Sequence, residues 1–480
     1  MNTTMPVEIV SVDRPEITEK HDVSIEVTAL PDLAPPLLPT EQIGPKGWVR
    51  NIFFFELPED YDIDVLTTLL KTSYKSFKDR TPVAGCEAIP MEGKQAGLLQ
   101  LRHYGDEIED FAVKDPRAEV AFPSFADLQA RGFPASGLDP VLVCKRGLGG
   151  EWPGAGDHLT VTMMQANFIR GGLLLNMITL HAFADHTTAY KFTEIFAEDL
   201  MKPSGSRSDL DLAHHEYIEL SFTPTAVPPK LSTPNHHGHV FYFPPPENLA
   251  ALKAEASLAN AKLLKDEELP AFTSTNDALT ALIWRSTMIA QHPELSTPKI
   301  DFEPPATGPC QVAIALDARR RAGVSVHKHT IGNILGFSPA MLDLNKVINE
   351  ASLADLAIIV RRALVKAEDT YLDELITVVD RLEDVTRLAP VVFLDMPGAH
   401  IIQSSWREFS FYDIEWGSAL GGKMLALRPP AVGVTHTMQI VLPDPKRGGV
   451  EAFIGVESSA MERLLSDPVL RRYAEAPQGL

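Results

Sequence analysis

Residues Gly171–Leu200 decide how the chain is read: Gly-Gly-Leu-Leu-Leu-Asn-Met-Ile-Thr-Leu180, then His181-Ala-Phe-Ala-Asp185, then His186-Thr-Thr-Ala-Tyr-Lys-Phe-Thr-Glu-Ile-Phe-Ala-Glu-Asp-Leu200. The apolar run Leu173–Leu180 has the length of a strand, and Arg170-Gly-Gly172 is a tight turn that pairs it with Val161–Ile169 as a hairpin. Ala189, Phe192, Phe196 and Leu200 recur at helical spacing, so a helix follows. His181 therefore stands where a buried strand ends. A histidine held there by backbone hydrogen bonds and titrating near neutrality takes up a proton at physiological pH, which is the work of a general base. Asp185 is close enough to reach back to the loop backbone and cap the helix, a brace for the histidine.

Upstream, Lys46–Phe55 reads as a strand and a helix begins near Ile63, with Leu66, Leu69, Leu70 and Phe77 on one face, ending before Pro82. Pro82–Gly85 is a turn, a strand lies near Leu98–His103, and Asp106–Asp115 is an acidic loop with helical potential. Downstream, the prolines and glycine between Met201 and Asn235 do not build regular elements. His236-His-Gly-His239 reads as a polar loop before a strand His239–Phe243. Helices are expected at Glu247–Ala261, after the capping-box-like start Ser274-Thr-Asn-Asp277, at Leu353–Glu368 and at Glu374–Leu388. Short strands are expected at Val312–Leu316, Val391–Leu394, Phe409–Tyr412, Gly433–Leu442 and Val450–Val456. This gives an N-terminal tail over 1–37, one domain over 38–200, a crossover over 201–235 and a second domain over 236–480.

The chain's 480 residues exceed what one core usually holds. With 45% apolar and 22% charged residues it is globular. A net charge of −21 argues against nucleic acid and anionic membranes as partners. No apolar run reaches the ~20 residues of a membrane span. Cys86, Cys144 and Cys310 lack metal spacing and are expected as reduced thiols of a cytoplasmic protein, with no signal peptide in view. His181, Asp185 and His186 have no third ligand at a dependable spacing, so no metal is expected.

The pieces in order carry a resemblance. Pro82-Val-Ala-Gly85, His181-x-x-x-Asp185, Ser274-Thr-Asn-Asp-Ala-Leu279 with Trp284-Arg285, Leu316-Asp-Ala-Arg319 with Gly332-Asn333, and Asp413-Ile-Glu-Trp-Gly417 are similar to the motifs of the BAHD acyltransferases, in particular the fungal branch typified by trichothecene 3-O-acetyltransferases. The resemblance implies an α/β fold of two similarly built chloramphenicol-acetyltransferase-like domains, each a mixed sheet with flanking helices, and an active-site channel between them. It implies a monomer that binds no permanent cofactor and uses acyl-CoA, with acetyl-CoA leading, to acylate a hydroxyl of a small secondary metabolite such as a terpenoid. His181 would be the base, Asp185 its companion, and the Trp416 indole, a donor only, would hold the oxyanion beside them. Asp413 would form a buried ion pair with Arg319, and Gly417 would complete that motif. Ser274, Thr275, Arg319 and Lys423 are the candidates for CoA, with Arg320, Arg321 and Arg428 as further cations. His186, where the family carries a small residue, either crowds the loop or reaches the acceptor, and Ile414 and Glu415 replace Phe and Gly. A condensation-type enzyme acting on carrier-bound thioesters and a catalytically silent binding protein are the alternatives.

Overall fold

The computed structural model describes residues 39–476 except 43, 45–46, 92–97, 120, 139, 146–157, 202–235, 297–306, 322–329, 368–370, 383–384, 386–397, 431–437 and 446. In chain order the strands among these are β1 (Trp48–Glu56), β2 (Cys86–Pro90), β3 (Leu99–His103), β4 (Phe111–Lys114), β5 (Leu159–Thr160), β6 (Thr162–Ile169), β7 (Gly172–Leu180), β8 (His236–Phe243), β9 (Pro309–Asp317), β10 (Leu335–Asp343), β11 (His400–Ser405), β12 (Ala426–Arg428), β13 (Met438–Val441) and β14 (Val450–Glu457). They form a five-stranded sheet ordered β12-β1-β7-β6-β4, a six-stranded sheet ordered β10-β9-β11-β13-β14-β8, and a small sheet β3-β2-β5. Both large sheets are mixed, since β4 runs parallel to β6 and β11 runs parallel to both β9 and β13.

The hairpin β6–β7 is antiparallel with Ile169 opposite Gly172. Every residue of both strands is buried, which is why they read as continuous apolar runs: each face of this sheet is covered. On one face lie the helices Ile63–Arg80 and His186–Met201, where Phe77 meets Phe192 edge-on with ring centroids 5.5 Å apart. On the other, Phe122, Phe125, Leu128 and Phe133 pack over Ile52, Phe54 and Leu174. The six-stranded sheet backs onto the helices Thr275–Gln291 and Leu353–Lys366. Each of these opens with a complete capping box, Ser274 with Asp277 and Ser352 with Asp355.

The two large sheets are not each built from one half of the sequence. β12 pairs with β1, placing Arg428 opposite Ile52, and Trp406, Phe411, Trp416, Leu420 and Leu427 belong to the core over the first sheet.

Four expectations differ from the structure. His236 and His237 are strand, not loop, because β8 extends back to pair with Glu457 and Val456; Gly238 follows them opposite Gly455, where a Cβ would run into the Phe453 ring. The acidic stretch Asp106–Asp115 contains β4, recruited by β6. Phe409–Tyr412 is not a strand: Phe411–Asp413 is a 3-10 turn, and the neighbouring strand is β11. The helix from Glu247 stops at Glu255, where Asn260 Nδ2 donates to the carbonyls of Ala254 and Glu255. The tail 1–37, residues 202–235 of the crossover and the strand expected at Val391–Leu394 lie outside the described residues. Among the described residues no helix is long and apolar enough to cross a membrane.

Candidate active site

β7 delivers His181 one residue past its last pairing, Leu180 with Trp48. The His181 N–H donates to the Gly47 carbonyl at 2.8 Å, and its own carbonyl accepts from Asn333 Nδ2 at 2.7 Å. The backbone under the imidazole is thus pinned from the first sheet and from the loop before β10. Gly44 packs into the same spot, where a Cβ would lie 2.5 Å from Asn333 Nδ2 and 3.0 Å from the Ala182 backbone. The ring is half-buried. Its Nδ1 is buried and meets no hydrogen-bond partner from another residue. Burial lowers the pKa below the ordinary 6.5, opposed in turn by its own backbone carbonyl and by Asp185, so at neutral pH His181 is an uncharged base.

Asp185 faces away from the reacting side of this imidazole and into a clamp. One carboxylate oxygen accepts from the Thr188 N–H at 2.9 Å, capping the helix His186–Met201, and the other accepts from the Ile334 N–H at 3.0 Å. Arg319 approaches both, at 2.5 and 3.2 Å. The Thr188 hydroxyl closes the arrangement by donating to the Gly332 carbonyl at 2.8 Å and accepting the Gly332 N–H at 2.9 Å. Arg319 has its remaining donors on Asp317 and on the carbonyls of Thr330 and Gly332. Burial opposes its charge, but Asp185 and Asp317 outweigh burial and hold the guanidinium above its ordinary value.

This corrects three expectations. Arg319 pairs with Asp185, not with Asp413, which is exposed on the turn Phe411–Asp413. Arg319 has no donor to offer CoA, its side chain being 2% exposed and fully bonded. Trp416 does not stand beside His181. Its ring packs against Phe53 at 5.0 Å, Phe55 at 4.9 Å and Phe196 at 6.2 Å, whereas His181 is bonded to Gly47 at the opposite end of β1. Six or so residues of strand at ~3.3 Å each separate the two, about 20 Å. The helix gives a similar length: Asp185 caps its start and Gly417 touches Met201 at its end, and sixteen residues at 1.5 Å span ~24 Å. The Trp416 indole N–H is buried without a partner, but it cannot be the oxyanion donor of this histidine.

The other named residues fall into structural positions. Gly417 has φ +76°, a conformation costly for any side chain; it lets the Gly422 N–H reach its carbonyl at 2.9 Å while the Trp416 N–H reaches that of Gly422 at 2.8 Å. Lys423 pairs with Glu415 at 2.7 Å and donates to the Asp413 carbonyl, so the glutamate that departs from the family pattern ties up the lysine expected at CoA. Arg428 is buried against Glu451 at 2.8 Å. The Ser274 hydroxyl accepts the Asp277 N–H as a helix cap, with Thr275 the first residue of that helix. Asn333 and Gly44 were not singled out from sequence; the only signal was the Gly332-Asn333 pair in its place in the motif order. Among the described residues no group of three or more His, Cys, Asp or Glu is placed to hold a metal ion.

Comparison with known proteins agrees with this architecture. A model described as Transferase family matches residues 159–470, and one described as Trichothecene 3-O-acetyltransferase-like N-terminal domain matches residues 48–199. The chain is 29% identical over 446 residues to eremophilane O-acetyltransferase prx11 of Penicillium rubens, covering 85% of this chain and 91% of that protein. It is 24% identical over 393 residues to trichothecene 3-O-acetyltransferase TRI101 of Fusarium sporotrichioides, covering 77% and 80%. The fold matches that of F. graminearum TRI101 complexed with coenzyme A and T-2 mycotoxin, with a TM-score of 0.74 at 18% identity over 92% of this chain and 99% of that one.

Proposed function

Because the chain belongs to the Transferase family, the BAHD acyltransferases, and is an acyltransferase, we propose that its donor is acyl-CoA, with acetyl-CoA leading, and its acceptor a hydroxyl of a terpenoid-like metabolite. The names of its relatives support the acceptor class, and the observation that carries the mechanism is His181, a neutral imidazole pinned by Gly47 and Asn333 with Nδ1 turned into the protein. In this reading the free Nε2 takes the proton of the acceptor hydroxyl as its oxygen attacks the thioester carbonyl carbon. The tetrahedral intermediate collapses by breaking the C–S bond, and Nε2 returns the proton to the departing thiolate. Donor and acceptor meet in one ternary complex with no acyl-enzyme. The cysteines support that route: all three are buried thiols outside any disulfide, and burial pushes the Cys86 thiol up to about 12 and the Cys144 thiol to about 11, too high for a thiolate nucleophile. Asp185 and Arg319 act as positioning residues, joining the loop after β7 to the loop before β10 so that both flank the imidazole. The domains are taken as 38–200 and 236–480, the second lending residues 406–428 to the edge and core of the first sheet, with the channel between them and the enzyme a monomer.

The test is thiol release from acetyl-CoA in the presence of hydroxylated sesquiterpenes. His181→Ala is expected to lose about 10²–10⁴-fold in kcat with its melting temperature unchanged. Equal turnover by wild type and variant would overturn the reading.

A further inference from the structure

His186 is the first residue of the helix that Asp185 caps, and its ring lies flat on Trp406, centroids 3.7 Å apart and planes 9° from parallel. Phe409 at 5.2 Å and Phe411 at 5.6 Å flank it, and Tyr190, one helical turn on, packs against both phenylalanines. The segment that supplies these rings is held in place, the Trp406 N–H donating to Val441 at 2.7 Å and the Phe409 N–H to Trp406 at 3.1 Å. Inside this cage both ring nitrogens of His186 are buried, and neither has a hydrogen-bond partner. Burial first, and the nearby His181 second, drive the pKa well below its ordinary value, so the ring carries one N–H and one lone pair, both unsatisfied. Stacking alone does not account for a histidine here, since a phenylalanine would stack as well without burying two unpaired polar atoms. The outer rings of the cage, Tyr190 and Phe409, are only partly buried, so this is the side on which the cage is least closed.

We infer that His186 hydrogen-bonds a second oxygen of the acceptor, one other than the hydroxyl that is acylated, while the rings around it cover the acceptor's apolar skeleton. This rests on the acyltransferase reading and narrows it: the acceptor is a polycyclic molecule oxygenated at two positions. The imidazole donates to a carbonyl oxygen from its N–H, or accepts from a hydroxyl at the other nitrogen. His181 and His186 stand at the two ends of the one short loop that Asp185 braces, which in this reading sets both rings beside one small molecule.

The probes are a decalin-type sesquiterpene carrying one hydroxyl and its counterpart carrying the same hydroxyl and a ketone. Wild type is expected to prefer the keto alcohol about tenfold in KM, equivalent to about 1.4 kcal/mol. His186→Phe, which keeps the stack and removes the nitrogens, is expected to lose that preference, and His186→Gln to recover part of it, with kcat changed less than KM. Calorimetric binding of both probes to wild type and His186→Phe gives the same comparison without turnover. If thiol release fails in wild type while the binding preference is present and lost in His186→Phe, the acyltransferase reading falls and the subsite stands. If turnover is normal and His186→Phe keeps the preference, the subsite falls and the acyltransferase reading stands. Wild type binding neither probe, or both equally, also overturns the subsite.

Discussion

At its N-terminal end the helix His186–Met201 meets charge and hydrogen bonds: Asp185 on two backbone N–H groups and Arg319, Thr188 on Gly332, and His181 just beyond. At its C-terminal end it meets rings and glycines: Phe196 against Trp416, and Met201 against Gly417. The sequence marks both ends with a motif of equal length. The first end joins parts of the chain 134 residues apart through an ion pair and presents an imidazole. The second fills the core over β1, and the charges beside it are paired with one another, Arg80 with Glu198 and Asp199 and Lys423 with Glu415. Motif order along a chain therefore says which pieces belong to one fold but carries no distance, and a donor-only side chain in a motif is not thereby a donor at the reacting atoms.

The largest expected effect lies at the first end. Removing one partner of the clamp, as in Asp185→Ala, leaves the buried Arg319 charge with the partly exposed Asp317 as its remaining acidic partner, with an expected loss of about 3 kcal/mol in denaturant unfolding. The double variant with Arg319→Ala should be less destabilised than the sum of the two singles. Additive losses would mean that the clamp is not a unit. At the second end, Trp416→Phe is expected to cost about 1–3 kcal/mol through the void it leaves, with kcat of the folded enzyme held within about twofold. A fall of 10²–10³ in kcat, the usual effect of losing an oxyanion donor, would make the two ends one site after all. Acidity sharpens the contrast further. Because burial lowers the pKa of His181, its base form persists into mild acid, so the acid limb of kcat/KM should turn down below pH 6.5 rather than at it; a limb at or above that value would contradict the buried geometry. The smallest effect is Asp413→Ala, expected to change stability by no more than about 0.5 kcal/mol because the side chain is exposed.

How much of this was legible follows from range. The hairpin, the helix after it and the caps at Ser274 and at Asp185 are local patterns, and they stand in the structure. β4 was hidden because its four residues sit between acidic flanks and become a strand only beside β6. Phe409–Tyr412 misled because an aromatic run looks like a strand, while here the rings turn toward His186 and Tyr190. The family resemblance gave Arg319 a partner, Asp413; choosing Asp185 instead depends on a contact that no spacing encodes. Asn333 was legible only as part of the Gly332-Asn333 motif, and its role was hidden for the same reason, its bond to His181 spanning 152 positions.

That bond, with the one from the Asn333 N–H to Glu41 across 292 positions, also sets an order of events. Contacts of such separation form late, after local helices and hairpins have repaid part of the chain's entropy. The base is thus aligned by some of the last contacts to close. A refolding chain is therefore expected to regain its circular dichroism before it regains turnover, the interval between the two signals timing the arrival of the loop before β10 at the end of β7.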